Sequence, residues 1–351
     1  MTAVFTGYGE IGMHGIEIPT VSAWLAGNIV GATSPFGFEL IAGGRSNLTF
    51  KVTGADGTRF VLRRPPLGHV LATAHDMARE YRIIAAVGRT GVPVPPALGL
   101  CTDVEVTGAP FYVMGYVDGV VLDSVERAAA LPVDLRRSAS EHLIDVLADL
   151  HAVDVDEVGL GDLAKRDGYI ERQVKRWSTQ WDQSKTRELP AIDEVARRLR
   201  ERIPTQHGVS IAHGDYRFGN CLTDVSVGRI AAVLDWELCT LGDPLADVGY
   251  LGVYWYDGEA ANVRANDPTS APGFPTYREL LERYSRRTGR DLSGIDYYVA
   301  FSCWRLAVIS EGVYARYLHG AMGQQEGVDL QSFKLGTEGL AERALVAVRR
   351  L

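Results

Sequence analysis

The feature that most restricts the fold is a change of hydrophobic periodicity near residue 118. Before that point, β-type runs and one helical segment alternate with turn residues, at 38–41, 48–52, 59–63, 77–87 and 111–116. Beyond it, apolar residues recur at helical spacing, at 135–151, 169–183, 192–203, 277–288, 297–318 and 335–351. The pattern predicts an α+β protein with a small antiparallel-sheet N-lobe, residues 18–118, and a larger, mainly helical C-lobe, residues 119–351. The glycine-rich residues 1–17 are expected to form an N-terminal arm.

A segment of strand and loop, residues 209–243, interrupts the helices and carries the polar residues with the clearest chemistry. It contains the run HGDYRFGN at 213–220 and the run LDWE at 234–237. A loop from Asp215 to Asn220 can present a carboxylate and an amide oxygen to one point. Asp235 can return to that point because a hairpin turning at Gly228 precedes it. Such oxygens suit Mg²⁺, and a further carboxylate can accept a hydroxyl proton, so the segment predicts phosphoryl transfer.

These motifs resemble those of the aminoglycoside phosphotransferase/choline kinase-like superfamily, distant relatives of the protein kinases. The resemblance is carried by HGDxxxxN at 213–220, LDWE at 234–237 and GDPxxD at 242–247. Weaker matches outside this segment are SN at 46–47, VLRRPP at 61–66, REY at 79–81 and FYVM at 111–114. The similarity runs from about residue 27 to the C-terminus, and the subgroup it most resembles is the phosphotransferase domain fused to some acyl-CoA dehydrogenases.

The resemblance implies a bilobal protein-kinase-like fold and an enzyme that moves the γ-phosphoryl group of ATP to a hydroxyl of a small molecule, with Mg²⁺. It implies that Asp215 is the catalytic base or orients the hydroxyl, and that Asn220 and Asp235 bind Mg²⁺. Arg217 is expected to contact the γ-phosphate, since arginine suits bidentate phosphate contacts. His213 is expected to hold the catalytic loop in shape.

The N-lobe is implied to bind the nucleotide. The resemblance places Ser46 and Asn47 over the phosphates, and gives the backbone from Met114 to Tyr116 the role of the hinge that meets adenine. The preceding loop is not a GxGxxG motif, so the sequence predicts only a tight turn there.

The strand lysine of the protein kinases is replaced in this chain by an arginine. Alternation along residues 61–63 places Arg63 on the face that would meet the α- and β-phosphates, with Glu80 as its ion-pair partner. Arg64 is the alternative. Arginine can still bridge phosphates, so the replacement is compatible with activity.

Charge and composition narrow the classes of partner. The chain has 44 acidic and 36 basic residues, a formal net charge of -8, which argues against a nucleic-acid partner. Neither a signal peptide nor an apolar run of about 18 residues is visible, so we expect a cytoplasmic protein without a membrane partner. The resemblance implies a small hydroxylated substrate as the partner, and the sequence does not indicate an oligomeric state.

Two other functions remain open at the level of sequence. The Arg63 replacement allows a nucleotide-binding pseudokinase with a regulatory role. A metal-dependent hydrolase using His213, Asp215 and Asp235 is less compatible, because such sites usually need more histidines or carboxylates. Aminoglycosides are polycations, and the C-terminal helices offer Arg305 and Arg316 with few acids. The sequence therefore favours a neutral or acidic acceptor, with an acyl thioester as one candidate.

Several other polar residues have two interpretations each. Asp243, before a proline, is predicted to begin a helix. Asp247 could brace the catalytic loop or complement the helix dipole. His151 is predicted to complement the C-terminus of its helix. Glu237 is a candidate for supporting the metal site, and Glu311 is either paired or lines a cavity.

Overall fold

The computed structural model describes residues 15–42, 47–66, 76–256, 267–319 and 329–351. Most of the predicted N-terminal arm and Ser46 therefore lie outside the described residues. The strands are β1 (Gly37–Ala42), β2 (Leu48–Thr53), β3 (Arg59–Arg64), β4 (Ala97–Cys101), β5 (Phe111–Gly115), β6 (Ser210–Ala212), β7 (Cys221–Asp224), β8 (Arg229–Val233) and β9 (Thr240–Gly242). The helices are α1 (Ile18–Asn28), α2 (Met77–Val87), α3 (Val125–Ala128), α4 (Val133–Ala152), α5 (Tyr169–Ser184), α6 (Pro190–Glu201), α7 (Leu245–Val253), α8 (Tyr277–Thr288), α9 (Ile295–Leu318) and α10 (Leu330–Val348).

The first of two compact units takes in the described residues up to Arg89 and from Val94 to Val117. It is built on a five-stranded antiparallel sheet of order β1-β2-β3-β5-β4. Because side chains alternate along a strand, the register places Phe50, Leu62 and Val113 on one face. These three residues pack with α1 in a buried core. The opposite face carries the polar residues of the candidate site.

The second unit takes in residues 90–93 and those from Asp118 onward. It is mainly helical: α9 packs against α5, α6, α7 and α10, and α4 packs against α8. Large aromatic residues fill its interior without exposure, including Trp236, Trp304, Tyr216, Tyr284 and Tyr298. Two small antiparallel pairs, β6 with β9 and β7 with β8, lie within this unit and carry the HGDYRFGN and LDWE runs at their ends.

Local signals explain where several helices begin. The Asp76 side chain accepts a hydrogen bond from the Arg79 amide at the start of α2. Thr276 and Glu279 form a capping box that opens α8. Helix α10 begins at Leu330, five residues before the predicted start, because Asp329 caps it. Strand β4 was not assigned bounds from sequence, since it follows the proline-rich residues 93–96.

No helix in the described part of the chain is long and apolar enough to cross a membrane. All four cysteines are buried free thiols. The predicted fold class, an α+β protein with a small antiparallel-sheet lobe and a larger helical lobe, is confirmed.

Candidate active site

The predicted catalytic loop lies between β6 and β7. Strand β6 ends at Ala212, and a single 3-10 turn over Phe218–Asn220 leads into β7. Gly214 has a φ of +84°, and a Cβ there would lie 2.8 Å from the Leu238 carbonyl oxygen. Only glycine adopts this conformation without strain, so the loop turns directly after His213.

The imidazole of His213 is fully buried and bonded on both sides to the main chain. Its Nε2 lies 2.9 Å from the Leu234 carbonyl oxygen, and its Nδ1 accepts a hydrogen bond from the Asp215 amide at 3.2 Å. A carbonyl can only accept, so Nε2 carries the proton and the ring is neutral. His213 therefore links the loop to Leu234, the residue after β8.

A buried carboxylate on α7, that of Asp247, accepts hydrogen bonds from the main chain of the same loop. Asp247 accepts hydrogen bonds from the His213 amide at 2.6 Å and from the Gly214 amide at 2.8 Å. Burial acts to raise the pKa of Asp247. Hydrogen bonds from His151 and the Gly214 amide, with the nearby histidines, bring the pKa below its ordinary value. Of the two interpretations of Asp247, the structure supports the loop brace.

His151 is part of this brace, and the predicted role as a partner of the helix dipole is wrong. The ring is buried, with Nε2 3.3 Å from Asp247 Oδ2 and Nδ1 2.7 Å from the Tyr284 hydroxyl. Burial lowers the pKa of His151 even though Asp247 opposes the shift. A neutral ring carries no charge for a helix terminus to attract.

Asp215 and Arg217 face each other in the catalytic loop. The Arg217 Nε lies 3.3 Å from Asp215 Oδ1, with 27% and 19% of the two side chains exposed. Burial opposes the charge of Arg217, but the adjacent Asp215 carboxylate raises the pKa of the guanidinium. Burial and the charge of Asp215 likewise raise the pKa of the Tyr250 hydroxyl well above its ordinary range.

The β7–β8 hairpin places Asn220 beside Leu234, the residue that precedes Asp235. Cys221 pairs with Val233, so the residues just outside this pair are neighbours, and the Leu234 amide donates to the Asn220 carbonyl at 2.8 Å. Asp235 follows in a left-handed conformation, φ 65° and ψ 65°. The Gly228 turn that was predicted for this hairpin is present, with φ +62°.

The donor set at this hairpin fits Mg²⁺. Asn220 Nδ2 donates to the Asp215 carbonyl oxygen at 2.8 Å, which orients the amide so that its nitrogen is committed to the loop. The amide oxygen of Asn220 and the carboxylate of Asp235 are the hard ligands that Mg²⁺ takes in small number beside phosphate oxygens and water. No group of three His, Cys, Asp or Glu residues that could hold a metal occurs in the described parts of the chain.

The first unit contains a separate polar cluster on the sheet face toward α2. Arg63 Nε lies 3.1 Å from Glu80 Oε2, and Glu80 is only 3% exposed. The Asn47 amide donates to Glu80 Oε1 at 3.0 Å, and the Tyr112 hydroxyl donates to Oε2 at 3.1 Å. The structure therefore brings two of the predicted nucleotide-binding residues, Arg63 and Asn47, together around a third, the buried carboxylate of Glu80.

Arg64, the alternative to Arg63, points elsewhere. Its guanidinium donates to the Thr107 carbonyl at 2.9 Å and also bonds Gly15, and burial lowers its pKa. Met114 lies in β5 between β3 and β4, and Tyr116 follows the strand with Arg59 stacked on its ring at 4.4 Å. The roles of Ser46, which is outside the described residues, and of this hinge stay predictions.

The remaining predicted residues have structural partners. Asp243 accepts hydrogen bonds from the Leu245 and His207 amides and from the Tyr298 hydroxyl, so it supports the start of α7 as predicted. Glu311 is buried and bonds Thr186 and Arg187, which makes it a paired carboxylate. Glu237 lies in a single 3-10 turn directly after Asp235.

Sequence reasoning predicts no contact with the catalytic loop for three residues that do contact it: Tyr250, Tyr254 and Arg305. The sequence could have indicated the two tyrosines, because at helical spacing residues 250 and 254 lie on the same face as Asp247. Arg305 is distant in sequence, and its contact with the Gly214 carbonyl oxygen, at 2.5 Å, is visible only in the fold.

Comparison with known proteins identifies relatives of two kinds. The family model for the phosphotransferase enzyme family matches residues 37–280. Acyl-CoA dehydrogenase family member 10 of Mus musculus is 35% identical over 322 residues, covering 89% of this chain and 29% of the relative. Family member 11 of Gallus gallus is 35% identical over 319 residues, covering 88% and 40%. The chain thus spans less than half the length of these relatives.

Solved structures show the same fold. A crystal structure described as a putative aminoglycoside phosphotransferase from Ralstonia eutropha JMP134 matches with a TM-score of 0.79 and 32% identity, covering 95% of this chain and 98% of that one. A ternary complex of aminoglycoside phosphotransferase APH(4)-Ia with AMP-PNP and hygromycin B matches with a TM-score of 0.59 and 16% identity, covering 94% and 98%. At that identity the second likeness concerns the fold alone.

Proposed function

Because the chain belongs to the phosphotransferase enzyme family, we propose that it transfers the γ-phosphoryl group of ATP to a hydroxyl group of a small molecule. In this reaction the acceptor oxygen bonds to the γ-phosphorus, and the bond from that phosphorus to the β–γ bridging oxygen breaks. The hydroxyl proton passes to Asp215, and ADP leaves.

The observation that carries the proposal is the fixed main chain around an accessible Asp215. His213, Asp247 and Arg305 each bond backbone groups of residues 213–215 or of the adjoining strand end. The Asp215 carboxylate itself is partly exposed beside Arg217. A rigid backbone with an accessible carboxylate is what a general base needs, since proton transfer depends on its position.

Arg217 supports the same reaction. Its guanidinium is held beside Asp215, and arginine presents several N–H donors to phosphate oxygens in a fixed plane. Negative charge on the transferring phosphoryl group is stabilised by a cation that is already in place. We assign Arg217 to the γ-phosphate on this basis.

Mg²⁺ would be held by Asn220 and Asp235, and when bound it would neutralise part of the phosphate charge. The Asn220 amide is oriented by its bond to the Asp215 carbonyl, so one residue would link the metal site to the loop that carries the base. In the first unit, Arg63 would meet the α- and β-phosphates, and Glu80, already paired with Arg63, would hold its guanidinium in place.

The hydrolase alternative is less well supported. Of the histidines near Asp215, His213 is bonded on both sides by backbone groups and His151 is buried against Asp247. Neither offers a lone pair for a metal without breaking a hydrogen bond. A metal held mainly by two oxygen ligands and phosphates is the arrangement of a phosphotransferase.

The test compares the wild-type chain with Asp215→Asn in two assays. We expect Mg-ATP to raise the thermal unfolding midpoint of both proteins, because ligand binding to the folded state is stabilising. Turnover of ATP, with a panel of hydroxylated acceptors or with water, should fall by roughly 100-fold or more in the variant.

The matched control is Asp182→Asn, which changes an exposed carboxylate on α5. The Asp182→Asn variant should be stabilised by Mg-ATP and should turn over ATP as the wild type does. Stabilisation by Mg-ATP with equal turnover in wild type and Asp215→Asn would instead support the pseudokinase. If Mg-ATP does not stabilise the chain at all, both the phosphotransferase and the pseudokinase are contradicted. The metal-dependent hydrolase would then become the leading candidate.

A further inference from the structure

Two tyrosines, one in helix α7 and one at its C-cap, each contact an arginine. Tyr250 and Tyr254 are one helical turn apart, and their hydroxyls lie 3.1 Å from each other. The guanidinium of Arg305 lies 4.7 Å from the centre of the Tyr250 ring, and that of Arg217 lies 4.8 Å from the centre of the Tyr254 ring. Both distances are in the range of cation–π contacts.

Arg217 is confined from two further directions. Its Nε lies 3.3 Å from Asp215 Oδ1. A Cβ at residue 219 would collide with the Nη1 of Arg217. The lack of a side chain at Gly219 therefore makes room for the guanidinium. A free arginine side chain has many rotamers, and these contacts select one of them.

The contact with Tyr254 differs in kind from an ion pair. A cation–π contact places the guanidinium over the face of a ring that carries no formal charge. A tyrosine ring therefore fixes the cation without neutralising it, whereas a second carboxylate would compete with a phosphate for the same donors.

We propose that Tyr254 is a positioning residue for phosphoryl transfer, whose ring holds the Arg217 guanidinium beside Asp215. The inference rests on the proposed function, because it gives Tyr254 an effect only through Arg217. A displaced guanidinium would lose part of its stabilisation of the transition state, since that depends on preorganised donors.

The test is a double-mutant cycle on ATP turnover in the full chain. Tyr254→Leu removes the ring and should lower kcat by roughly 2- to 30-fold, the range that a cation–π contact corresponds to. Tyr254→Phe keeps the ring and should retain most of the rate. In an Arg217→Ala background, Tyr254→Leu should have no further effect, because the residue through which it acts is absent.

Gly219→Ala displaces the same guanidinium from the opposite side and should also lower kcat only when Arg217 is present. Its φ is not in the left-handed region, so the backbone accepts alanine. Tyr256→Leu is the matched control, because Tyr256 is 40% exposed and lies two residues from Tyr254.

Each outcome separates the two proposals. Wild-type turnover that does not depend on Asp215 would overturn the proposed function, and this inference with it. Turnover that depends on Asp215 but is the same in Tyr254→Leu and Tyr256→Leu would overturn the inference alone. An equal loss from Tyr254→Leu with and without Arg217 would also overturn it, because Tyr254 would then act by another route.

Discussion

At the scale of single residues, the candidate site is held by buried groups whose protonation is fixed by their partners. The Nδ1 of His151 accepts a hydrogen bond from the Tyr284 hydroxyl, and its Nε2 faces the Asp247 carboxylate. Asp247 in turn bonds the His213 and Gly214 amides. A proton added to His151 Nδ1 would require the Tyr284 hydroxyl to change from donor to acceptor, and burial disfavours the added charge, so the neutral ring is favoured.

The neutral ring predicts a pH dependence of stability. Burial lowers the pKa of His151 in the folded chain, so below about 6.5 the unfolded chain binds the extra proton and the folded one resists it. The stabilisation is complete above that pH and is lost as the pH falls. We expect the free energy of unfolding to decline between pH 7 and 5, by at most about 1.4 kcal/mol per pH unit for this group.

Urea unfolding of wild type and His151→Gln at several pH values measures this contribution. The variant should be less stable at pH 7, with a shallower decline toward pH 5. His142, whose pKa burial also lowers, is present in both proteins and so does not affect the comparison. Parallel curves for the two proteins would show that His151 is not the group responsible.

At the scale of elements, the position of α7 determines the geometry of the site, because this helix carries Asp247 and Tyr250 and is followed directly by Tyr254. It packs closely against α9 at Gly249. A Cβ there would lie 2.5 Å from the Tyr298 Cβ and 2.6 Å from the Tyr298 carbonyl carbon. Neither neighbour is the end of a flexible side chain, so a methyl group would push the two helices apart.

Gly249→Ala is therefore expected to lower the free energy of unfolding by about 1–3 kcal/mol, despite the better helix propensity of alanine. The matched change Gly336→Ala, on α10, meets nothing within 4 Å and should raise stability by about 0.5–1 kcal/mol. Chemical denaturation measures both. A destabilised Gly336→Ala together with a neutral Gly249→Ala would refute the packing argument.

The sequence predicted those elements whose signals are local. Helices α2 and α8 have their predicted bounds because Asp76 and Thr276 cap them. The convergence of Asn220 and the residue before Asp235 followed from one hairpin, so it was also visible in the sequence. Contacts that depend on packing between distant helices were not, which is why Arg305 had no assigned contact and His151 was given the wrong one.

At the scale of the whole molecule, the net charge of -8 includes carboxylates that are buried and so cannot bind a cationic acceptor. Three carboxylates of the helical unit, Asp243, Asp247 and Glu311, are buried and engaged with amides, hydroxyls or arginine. Close to Asp215 lies Arg217, and Arg305 contacts the same loop. The three buried carboxylates are therefore not available to bind a cationic acceptor, whereas two arginines contact the catalytic loop.

We therefore expect neutral or acidic hydroxylated compounds to be better acceptors than aminoglycosides. A coupled assay of ATP consumption, run over aminoglycosides, choline-like alcohols, sugars and hydroxyacyl thioesters, measures the preference. A polycation should lose at least about tenfold in kcat/KM relative to the best neutral or acidic acceptor, since like charges are disfavoured near Arg217. Strong turnover with aminoglycosides alone would contradict this prediction.

The backbone of Asp235 has a consequence for how this chain can change over time. A residue with a Cβ pays about 1–2 kcal/mol to hold φ near 65°, and glycine would hold it at no cost. Drift toward glycine would thus make the protein more robust while deleting a carboxylate. A lineage that keeps aspartate at this position does without that additional stability. A lineage that no longer uses the carboxylate can replace it by glycine. Which residue stands here in a descendant would then report whether its chemistry is still in use.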